Sequence, residues 1–422
     1  MVDDIRPSTR KSLDDENQNE APNLTLHEAP LNMDRNVPSD VIKEEEGFVV
    51  LPEKSKKGLK KPGNPFKKIA GWVADLSKKQ KILFAVIAIF VLGSSGAGVY
   101  ALFFNKPTPV LATKPTIVEK KVEEPPKPIT EASKLSGVQV EPSFNKKPVI
   151  SIQIENSPDA RPQSALNQAS VVFEAIAEGG ITRFNATFLD NEPDYIGPIR
   201  SVRPYYAVLT SPFDPIFVHA GGSSDGLAKL GELGLKDLDH GANGAAFQRV
   251  SDRFAPHNLY SSYQALKTAS DKRGYTTSDT KSFLRKPESP LPAPTAKTID
   301  MGISSPLYNT HYDYDAGTNS YKRSEGGSPH VDLRSGIQIS PKVVVGLVMN
   351  FSQNGIYSVY QTVGSGTAVI FQDGNATVGT WTKTSEKEQI IFKDQAGNPL
   401  LINPGQTWLT LVKSAGAVSY AP

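Results

Sequence analysis

The pattern of apolar and polar residues divides the chain into a polar beginning, one long apolar run, a polar linker and a long patterned region. The apolar run covers residues 82–104, ILFAVIAIFVLGSSGAGVYALFF, and contains no charged side chain. At about 1.5 Å per residue, a helix of this length crosses the ~30 Å hydrocarbon core of a bilayer. A buried core helix is the alternative, but the uninterrupted run with lysines before it favours a single transmembrane helix.

The charges around this run predict its orientation. Ten lysines lie between Glu53 and the run, whereas only Lys106 and Lys114 follow it closely. Positive charge stays in the cytoplasm, so we expect the N-terminus inside and residues 105–422 outside. Residues 1–81 are polar without sustained periodicity and predict a disordered, basic cytoplasmic tail. Residues 105–147 are rich in Pro, Lys and Glu and predict a spacer between the membrane and a folded part.

The rest of the chain predicts a fold of class α+β in two parts. Residues 148–290 mix strand and helix signals and predict a mixed α/β domain. After a Pro-rich connector, residues 295–422 carry short strand patterns between turn signals and predict a β-rich, mostly antiparallel domain. Within the first domain we predict strands at 148–155, 171–177, 181–190 and 215–222, and helices at 164–169, 204–210, 223–233 and 261–272.

The composition of the chain excludes several classes of function, although it says little about the fold. The net charge is +2, from 46 basic and 44 acidic residues, which gives no global support for nucleic-acid binding. The absence of cysteine from the sequence excludes disulfides, thiol catalysis, thiolate metal sites and a lipid-modified cysteine anchor within it. We therefore expect the membrane as a partner through the apolar run, and no nucleic acid.

Several motifs, in the order in which they occur, resemble the YerB-like family of bacterial extracytoplasmic proteins. They are ARPQSALNQASVVFEAIAEGGITRF, IGPIRSVRPYY, FVHAGG, RFAPHNLY, PHVD and NPGQTW, which together cover about residues 148–412. The resemblance implies a pair of adjoining domains of unknown function outside the cytoplasm, with only a loose link to cell-wall remodelling. Members of the family are often lipoproteins, and this chain departs from them because it has no cysteine.

Two glutamates at the end of a predicted strand are the candidate catalytic groups. Strand alternation places Glu174, Ile176 and Glu178 on one face. A carboxyl group in an apolar pocket with a raised pKa is what a glycan-cleaving enzyme uses as its general acid. A single such Glu suits a lytic transglycosylase, in which a hydroxyl of the sugar replaces water. The structural alternative is a pair of glutamates held by arginine or by backbone N–H groups.

Polar side chains at strand ends and in loops of the same domain are candidate ligand-binding groups. Arginine forks bind carboxylates and phosphates, and could equally clamp the two glutamates. The histidines and nearby Asp match no local metal motif, so we predict neither a metal site nor a cofactor. The candidates are Arg183, Arg200, Arg203, His219, Asp225, Arg253, His257 and Asn258.

Two classes of function remain at this point. The first is a membrane-anchored envelope protein that binds or cleaves peptidoglycan glycan, with Glu174 or Glu178 as the acid. The alternative is a non-catalytic scaffold or regulator of cell-wall enzymes, in which the polar cluster is structural. The sequence leaves open whether the protein is an enzyme.

Overall fold

The computed structural model describes residues 77–83, 85–87, 89 and 129–422. Contacts divide the chain into two compact units, Met1–Val118 and Glu119–Pro422. Residues 78–83 are helical, and no helix among the described residues is long and apolar enough to cross a membrane. Most of the predicted transmembrane helix at 82–104, the tail up to residue 76 and the spacer up to residue 128 lie outside the described residues.

The second unit is rich in β-strands and has few helices. Its described α-helices are α1 (Pro204–Thr210), α2 (Ser224–Leu233) and α3 (Tyr263–Lys272). Its strands are β1 (Glu131–Ala132), β2 (Gln139–Val140), β3 (Ile150–Glu155), β4 (Val171–Glu178), β5 (Ile181–Phe188), β6 (Ile216–His219), β7 (Lys236–Asp239), β8 (Gln248–Arg249), β9 (Leu259–Tyr260), β10 (Thr298–Met301), β11 (Thr310–Asp315), β12 (Ser320–Glu325), β13 (Ser328–Pro329), β14 (Val343–Val348), β15 (Phe351–Asn354), β16 (Tyr357–Tyr360), β17 (Gly364–Gln372), β18 (Asn375–Lys383), β19 (Ile391–Lys393), β20 (Thr407–Val412) and β21 (Val418–Ala421).

A twelve-stranded mixed sheet forms the centre of this unit. Its main path runs β19-β18-β17-β14-β20-β4-β5-β3-β6-β7, with the hairpin β15–β16 attached beside β4. Strand β20 pairs in parallel with β4, so strands from both predicted parts of the folded region belong to one sheet. One apolar cluster accordingly contains Phe173 and Tyr206 together with Leu347 and Leu409, so the two parts share a core.

A second sheet is smaller and wholly antiparallel. Its order is β13-β12-β11-β10-β21. Tyr312 and Tyr321 of this sheet are buried in a cluster with Ile176 and Val344 of the large sheet. The burial of these side chains brings strand β12, which carries Arg323 and Glu325, close to the middle of β4.

Several predicted elements appear where the pattern placed them. Strands β4 and β5 form the expected hairpin, and Gly179 and Gly180 turn between them with positive φ angles of 56° and 82°. L-residues with a side chain rarely adopt such angles, which explains the glycine pair. Helix α2 begins after the predicted serine cap, because the Ser223 hydroxyl accepts a hydrogen bond from the backbone of Gly226 at 3.2 Å.

Two boundaries differ from the prediction. The folded part begins before residue 148, because Leu135 is fully buried and Ser133 donates a hydrogen bond to Asp190. Few apolar residues occur in this segment, so its pattern resembled that of a spacer. The helix predicted at 164–169 is only a 3-10 turn, Leu166–Gln168, which follows Ala165 in a left-handed conformation.

Candidate functional site at the strand ends

The segment after β5 and before α1 brings two arginines to the carboxyl ends of the central strands. The backbone N–H of Arg200 donates to the carbonyl of Gln153 in β3 at 2.9 Å. The N–H of Val202 donates to the carbonyl of Gly221, just beyond β6, at 3.0 Å. Arg200 and Arg203 therefore lie at the edge where the strands end, which is a common position for binding groups in sheets with parallel strands.

Glu174 lies in the interior rather than at this edge. Its two carboxylate oxygens accept hydrogen bonds from Nη2 of Arg323 at 3.1 and 3.0 Å, and from Nε1 of Trp408 at 3.0 Å. The side chains of Glu174 and Arg323 are both 0% exposed. Burial is the largest influence on Glu174 and raises its pKa, although the charge of Arg323 opposes the change. No solvent reaches this carboxyl group, so it has no access to a substrate.

The surroundings of Glu174 form a closed network of charged groups. Arg323 also contacts Glu325 at 3.5 Å and donates to Nδ1 of His330. Nε2 of His330 donates to the side-chain oxygen of Gln163 at 2.8 Å. Burial, followed by the charge of Arg323, lowers the pKa of His330 well below its usual range, so the ring is neutral. We call Glu174, Arg323, Glu325 and His330 the buried charge network.

Glu178 lies on the opposite face of β4 from Glu174, which corrects the prediction that they share one. The pairing of β4 with β5 shifts by one residue between Ile176 and Glu178, and such a bulge reverses the alternation. Arg183 is the cross-strand partner of Ala175, on the face opposite Glu174, and it bonds to Glu178. Strand periodicity alone does not reveal a bulge, which is why the two glutamates were placed together.

Two arginines clamp Glu178. Nη2 of Arg183 donates to one carboxylate oxygen at 2.6 Å, and Nη2 of Arg203 donates to the other at 2.7 Å. Each arginine also donates to a backbone carbonyl, that of Ser201 or of Val202. Burial by itself would raise the pKa of Glu178, but the two arginine charges and their hydrogen bonds outweigh it and lower the pKa. Glu178 is therefore ionised at neutral pH.

A third glutamate, which sequence analysis did not select, ends the neighbouring strand β3. Glu155 is the cross-strand partner of Arg183, and its carboxylate lies 3.2 Å from Nε of Arg200 and 3.0 Å from Nδ1 of His257. Its side chain is only 4% exposed, whereas those of Arg200 and His257 are 26% and 22% exposed. The signal that could have identified it is a charged residue closing a buried strand beside an arginine-bearing strand.

The hydrogen bonds around Glu155 determine which nitrogen of His257 carries hydrogen. The hydroxyl of Ser157 donates to Glu155 Oε1 at 3.0 Å. The same hydroxyl lies 3.2 Å from Nδ1 of His257 and must accept there, having given its only hydrogen to Glu155. Nδ1 is therefore protonated, and Nε2 points away from the carboxylate. We call Glu155, Ser157, Arg200 and His257 the strand-end cluster.

The remaining predicted site residues do not join this cluster through their own contacts. His219 is fully buried, with Nε2 at 2.9 Å from Asp237 and Nδ1 at 2.8 Å from the carbonyl of Gly221. Asp225 is exposed on the first turn of α2, and its carboxylate accepts a hydrogen bond from the hydroxyl of Ser224 at 3.4 Å. His219, Asp225 and His257 therefore do not converge.

Arg253 and Asn258 support the loop that carries His257. Arg253 donates to the carbonyls of Ala160 and Pro162 at 2.5 and 2.8 Å. The amide of Asn258 donates to the carbonyl of Val250 at 3.0 Å and its oxygen accepts from Arg249 at 2.8 Å. Both side chains are occupied with backbone or loop contacts, so they position the loop rather than offer free groups.

A separate concavity of about 620 Å³ lies along α3 and contains none of the predicted site residues. It is lined mostly by small side chains, including Ala242, Ala246 and Ala269, with Lys272 and Arg273 at one end. No group of three or more His, Asp or Glu side chains among residues 77–83, 85–87, 89 and 129–422 is arranged to hold a metal ion.

Comparison with known proteins connects the fold to a family. The sequence matches the family described as "Protein of unknown function (DUF3048)", with its N-terminal domain at residues 135–276 and its C-terminal domain at residues 299–409. It is 32% identical over 293 residues to a Bacillus subtilis (strain 168) protein named "Putative lipoprotein YerB", covering 68% of this chain and 87% of that protein. The chain belongs to the YerB-like family. The resemblance carried by the motifs is thereby confirmed.

A solved structure extends the YerB-like relationship to three dimensions. The crystal structure of the YerB protein from Bacillus subtilis aligns with a TM-score of 0.63 and 27% identity, covering 69% of this chain and 99% of that one. The family's N-terminal domain begins at residue 135, in the segment where Leu135 is already buried. The YerB-like family description names no reaction, so the chemistry must be argued from the side chains.

Proposed function

We propose that this chain is an extracytoplasmic protein of the bacterial cytoplasmic membrane, anchored once by residues 82–104 with its N-terminus in the cytoplasm. The uncharged run and the ten lysines before it support this topology. The YerB relative is named as a lipoprotein, which is consistent with a folded part held at the outer face of a membrane. This sequence contains no cysteine, so the apolar run would take the place of a lipid anchor.

We further propose that the folded part binds the cell wall without cleaving its glycan. The observation that carries this proposal is that both candidate acids, Glu174 and Glu178, are held in ion pairs with arginine. Glu174 is fully buried against Arg323, and Glu178 is ionised between Arg183 and Arg203. Glycan cleavage requires a protonated carboxyl group within hydrogen-bond reach of the leaving oxygen. Glu174 lacks the access and Glu178 lacks the proton.

A second candidate function is the recruitment of cell-wall enzymes. The hairpin β15–β16 carries Ile356, Tyr357 and Val359, which are all exposed. Three exposed apolar side chains on one hairpin form the kind of surface that protein partners cover. Binding to walls that retain their proteins, but not to walls stripped of protein, would favour this function over direct glycan binding.

The test of wall binding uses the full chain in detergent micelles mixed with purified peptidoglycan. We expect the protein to sediment with the wall and mass spectrometry to find no released fragments. Glu178→Gln should leave both results unchanged. Anhydro-sugar or reducing-end fragments that disappear in Glu178→Gln would overturn the non-catalytic proposal, and failure to sediment would overturn wall binding itself.

The topology is tested separately in cells whose outer wall has been removed. External protease should digest the folded part, residues 129–422, and leave an epitope tag at the N-terminus protected. Charge reversal of the lysines at 54–81 should weaken this orientation, because the positive residues hold the N-terminus inside. Digestion of the tag in intact cells would contradict the proposed topology.

A further inference from the structure

Arg200 differs from the other arginines at the strand ends because the N–H groups of its guanidinium form no hydrogen bond within the described residues. Its Nε approaches Glu155 at 3.2 Å without the alignment of a hydrogen bond, and Nη1 and Nη2 contact no acceptor among the described residues. A side chain that is 26% exposed presents these groups to solvent. The guanidinium fork matches a carboxylate in shape and charge, and it is the donor that proteins use for bidentate recognition.

His257 adds a second free group beside this arginine. Its Nδ1 is hydrogen-bonded to the hydroxyl of Ser157 at 3.2 Å and lies 3.0 Å from the carboxylate of Glu155, and these two groups flank the ring. The carboxylate of Asp159 lies 3.9 Å from its Nε2, which is too long for a hydrogen bond. Nε2 has no hydrogen-bond partner among the described residues and can form a hydrogen bond with a hydroxyl group.

Phe254 supplies an apolar surface in the same loop. Its side chain is 90% exposed, an extreme value for a phenylalanine. The N–H of His257 donates to the carbonyl of Phe254 at 2.9 Å, so one tight turn contains both residues. An exposed aromatic ring in the turn that carries His257 offers a flat platform on which the apolar face of a sugar ring can lie.

We propose that Arg200, His257 and Phe254 bind a carbohydrate that carries one carboxylate. The carboxylate accepts hydrogen bonds from the fork of Arg200, and a ring hydroxyl forms a hydrogen bond with Nε2 of His257, while the sugar lies against Phe254. Asp159 is 82% exposed beside Nε2, and its charge disfavours a doubly charged phosphate. This inference names a ligand class for the proposed wall binding. It rests on that proposed function for the place in the cell where the carbohydrate is found.

The test measures binding of free sugars to the full chain by isothermal titration calorimetry. The probes are N-acetylmuramic acid and glucuronic acid, which are two sources of a sugar carboxylate, with N-acetylglucosamine and lactate as controls. We expect at least one of the acids to bind. The neutral sugar lacks the carboxylate and lactate lacks the ring, so each control should bind at least about 10-fold more weakly.

Three variants assign this binding to the named side chains. Arg200→Gln should weaken the affinity for the acid about 10-fold to 100-fold, because a charge-assisted pair is lost. His257→Phe and Phe254→Ser should each weaken it by several fold, and Phe254→Ser should weaken both acids alike. The matched control is Arg273→Gln, an exposed arginine at the end of α3 whose Nε donates to Asn243 at 2.8 Å, and it should bind like the unchanged protein.

The outcomes separate this inference from the proposed function. Equal binding of acid and neutral sugar, or unchanged affinity in Arg200→Gln, would overturn the inference. Sedimentation with peptidoglycan but no binding of either acid would also overturn it, while leaving wall binding in place. Binding of an acid by a protein that does not sediment with the wall would support the site and reject the proposed function.

Discussion

The buried charge network and the strand-end cluster are built from the same residue types, yet they are equipped for different tasks. In the first, Arg323 donates to both oxygens of Glu174 and to His330, and every one of these side chains is buried. In the second, Arg200 makes no aligned hydrogen bond to Glu155, and about a quarter of its side chain is exposed. Glu, Arg and His are present in both places, so residue type alone does not identify a site.

The two clusters differ in which member of each ion pair is exposed to solvent. Inside the network, the arginine is enclosed by its acceptors, and a ligand would have nothing to bind. At the strand ends, the glutamate is enclosed and the two cationic or polar partners face outward. The buried carboxylate of Glu155 holds the side chains of Arg200 and His257 in place and leaves some of their polar atoms without a protein partner in the described part of the chain. A binding site that is organised before its ligand arrives has this arrangement.

The largest effect should come from breaking the buried network. Arg323→Met leaves the carboxylate of Glu174 buried without its cation, whereas Glu325 keeps Arg161 at 3.3 Å. Removal of one partner from a buried pair costs about 3–5 kcal/mol, so we expect a large loss of unfolding free energy or no soluble protein. The unfolding free energy is measured by urea denaturation of the full chain in micelles, with tryptophan fluorescence as the signal.

A double variant controls for the loss of packing at Arg323. Adding Glu174→Gln to Arg323→Met removes the stranded charge, so it should recover part of the lost unfolding free energy. The recovery isolates the electrostatic coupling between the two side chains. Equal destabilisation with and without Glu174→Gln would show that Arg323 matters for its volume and not for its charge.

A smaller loss is expected at the clamp around Glu178. Glu178→Gln removes the charge from two hydrogen bonds, and the side chain is 23% exposed, so we expect a cost of about 2 kcal/mol. The conservative variant Arg183→Lys keeps the charge but loses the fork and the bond to Ser201, and should cost about half as much. Denaturation curves for the two variants compare them directly.

The clamp also predicts how stability depends on pH. The arginines hold the pKa of Glu178 below its ordinary value of 4.5, despite its burial. A carboxyl group with a lowered folded pKa contributes stability fully above its unfolded pKa, and loses it as pH falls through the folded value. The difference between the unchanged protein and Glu178→Gln should therefore be constant above about pH 5.5 and shrink steadily below pH 4.5. A difference that grows on acidification would contradict the clamp.

Local patterns predicted the elements of the fold better than their arrangement. The alternation in 171–177 and 181–190 identified strands β4 and β5, and the glycine pair identified their turn. The pairing of β20 with β4 joins residues more than two hundred positions apart, and no local pattern encodes it. The shared core of the two folded parts therefore becomes visible only in the assembled sheet.

The candidate site was predicted only in its residue types. Arginines near the strand ends were expected, but a one-residue bulge moved Glu178 away from the face of Glu174. Glu155 was missed because a charged residue at the end of a strand is usual, and its partners Arg200 and His257 come from distant segments. Burial and hydrogen-bond alignment, which separate a structural pair from an open one, are properties of the assembled fold.

A still smaller effect is expected for the glutamate of the strand-end cluster. Glu155→Gln keeps the shape and loses one charge-assisted bond from Ser157, so the unfolding free energy should fall by about 1 kcal/mol. The same substitution at Glu174 is the matched comparison, and it should cost at least twice as much because Arg323 would remain buried. Equal losses of unfolding free energy at Glu155 and Glu174 would contradict the distinction between the buried charge network and the strand-end cluster.

The smallest change in stability should accompany Arg200→Gln. The side chain of Arg200 makes no aligned hydrogen bond among the described residues, so its loss should alter the unfolding free energy by less than about 0.5 kcal/mol. Arg203→Gln is the matched control, because that side chain bonds both Glu178 and the carbonyl of Val202 and should cost several times more. A stable Arg200→Gln protein that has lost its affinity for a sugar carboxylate would show that this arginine is held for a ligand. A loss of stability equal to that of Arg203→Gln would place Arg200 among the structural pairs instead.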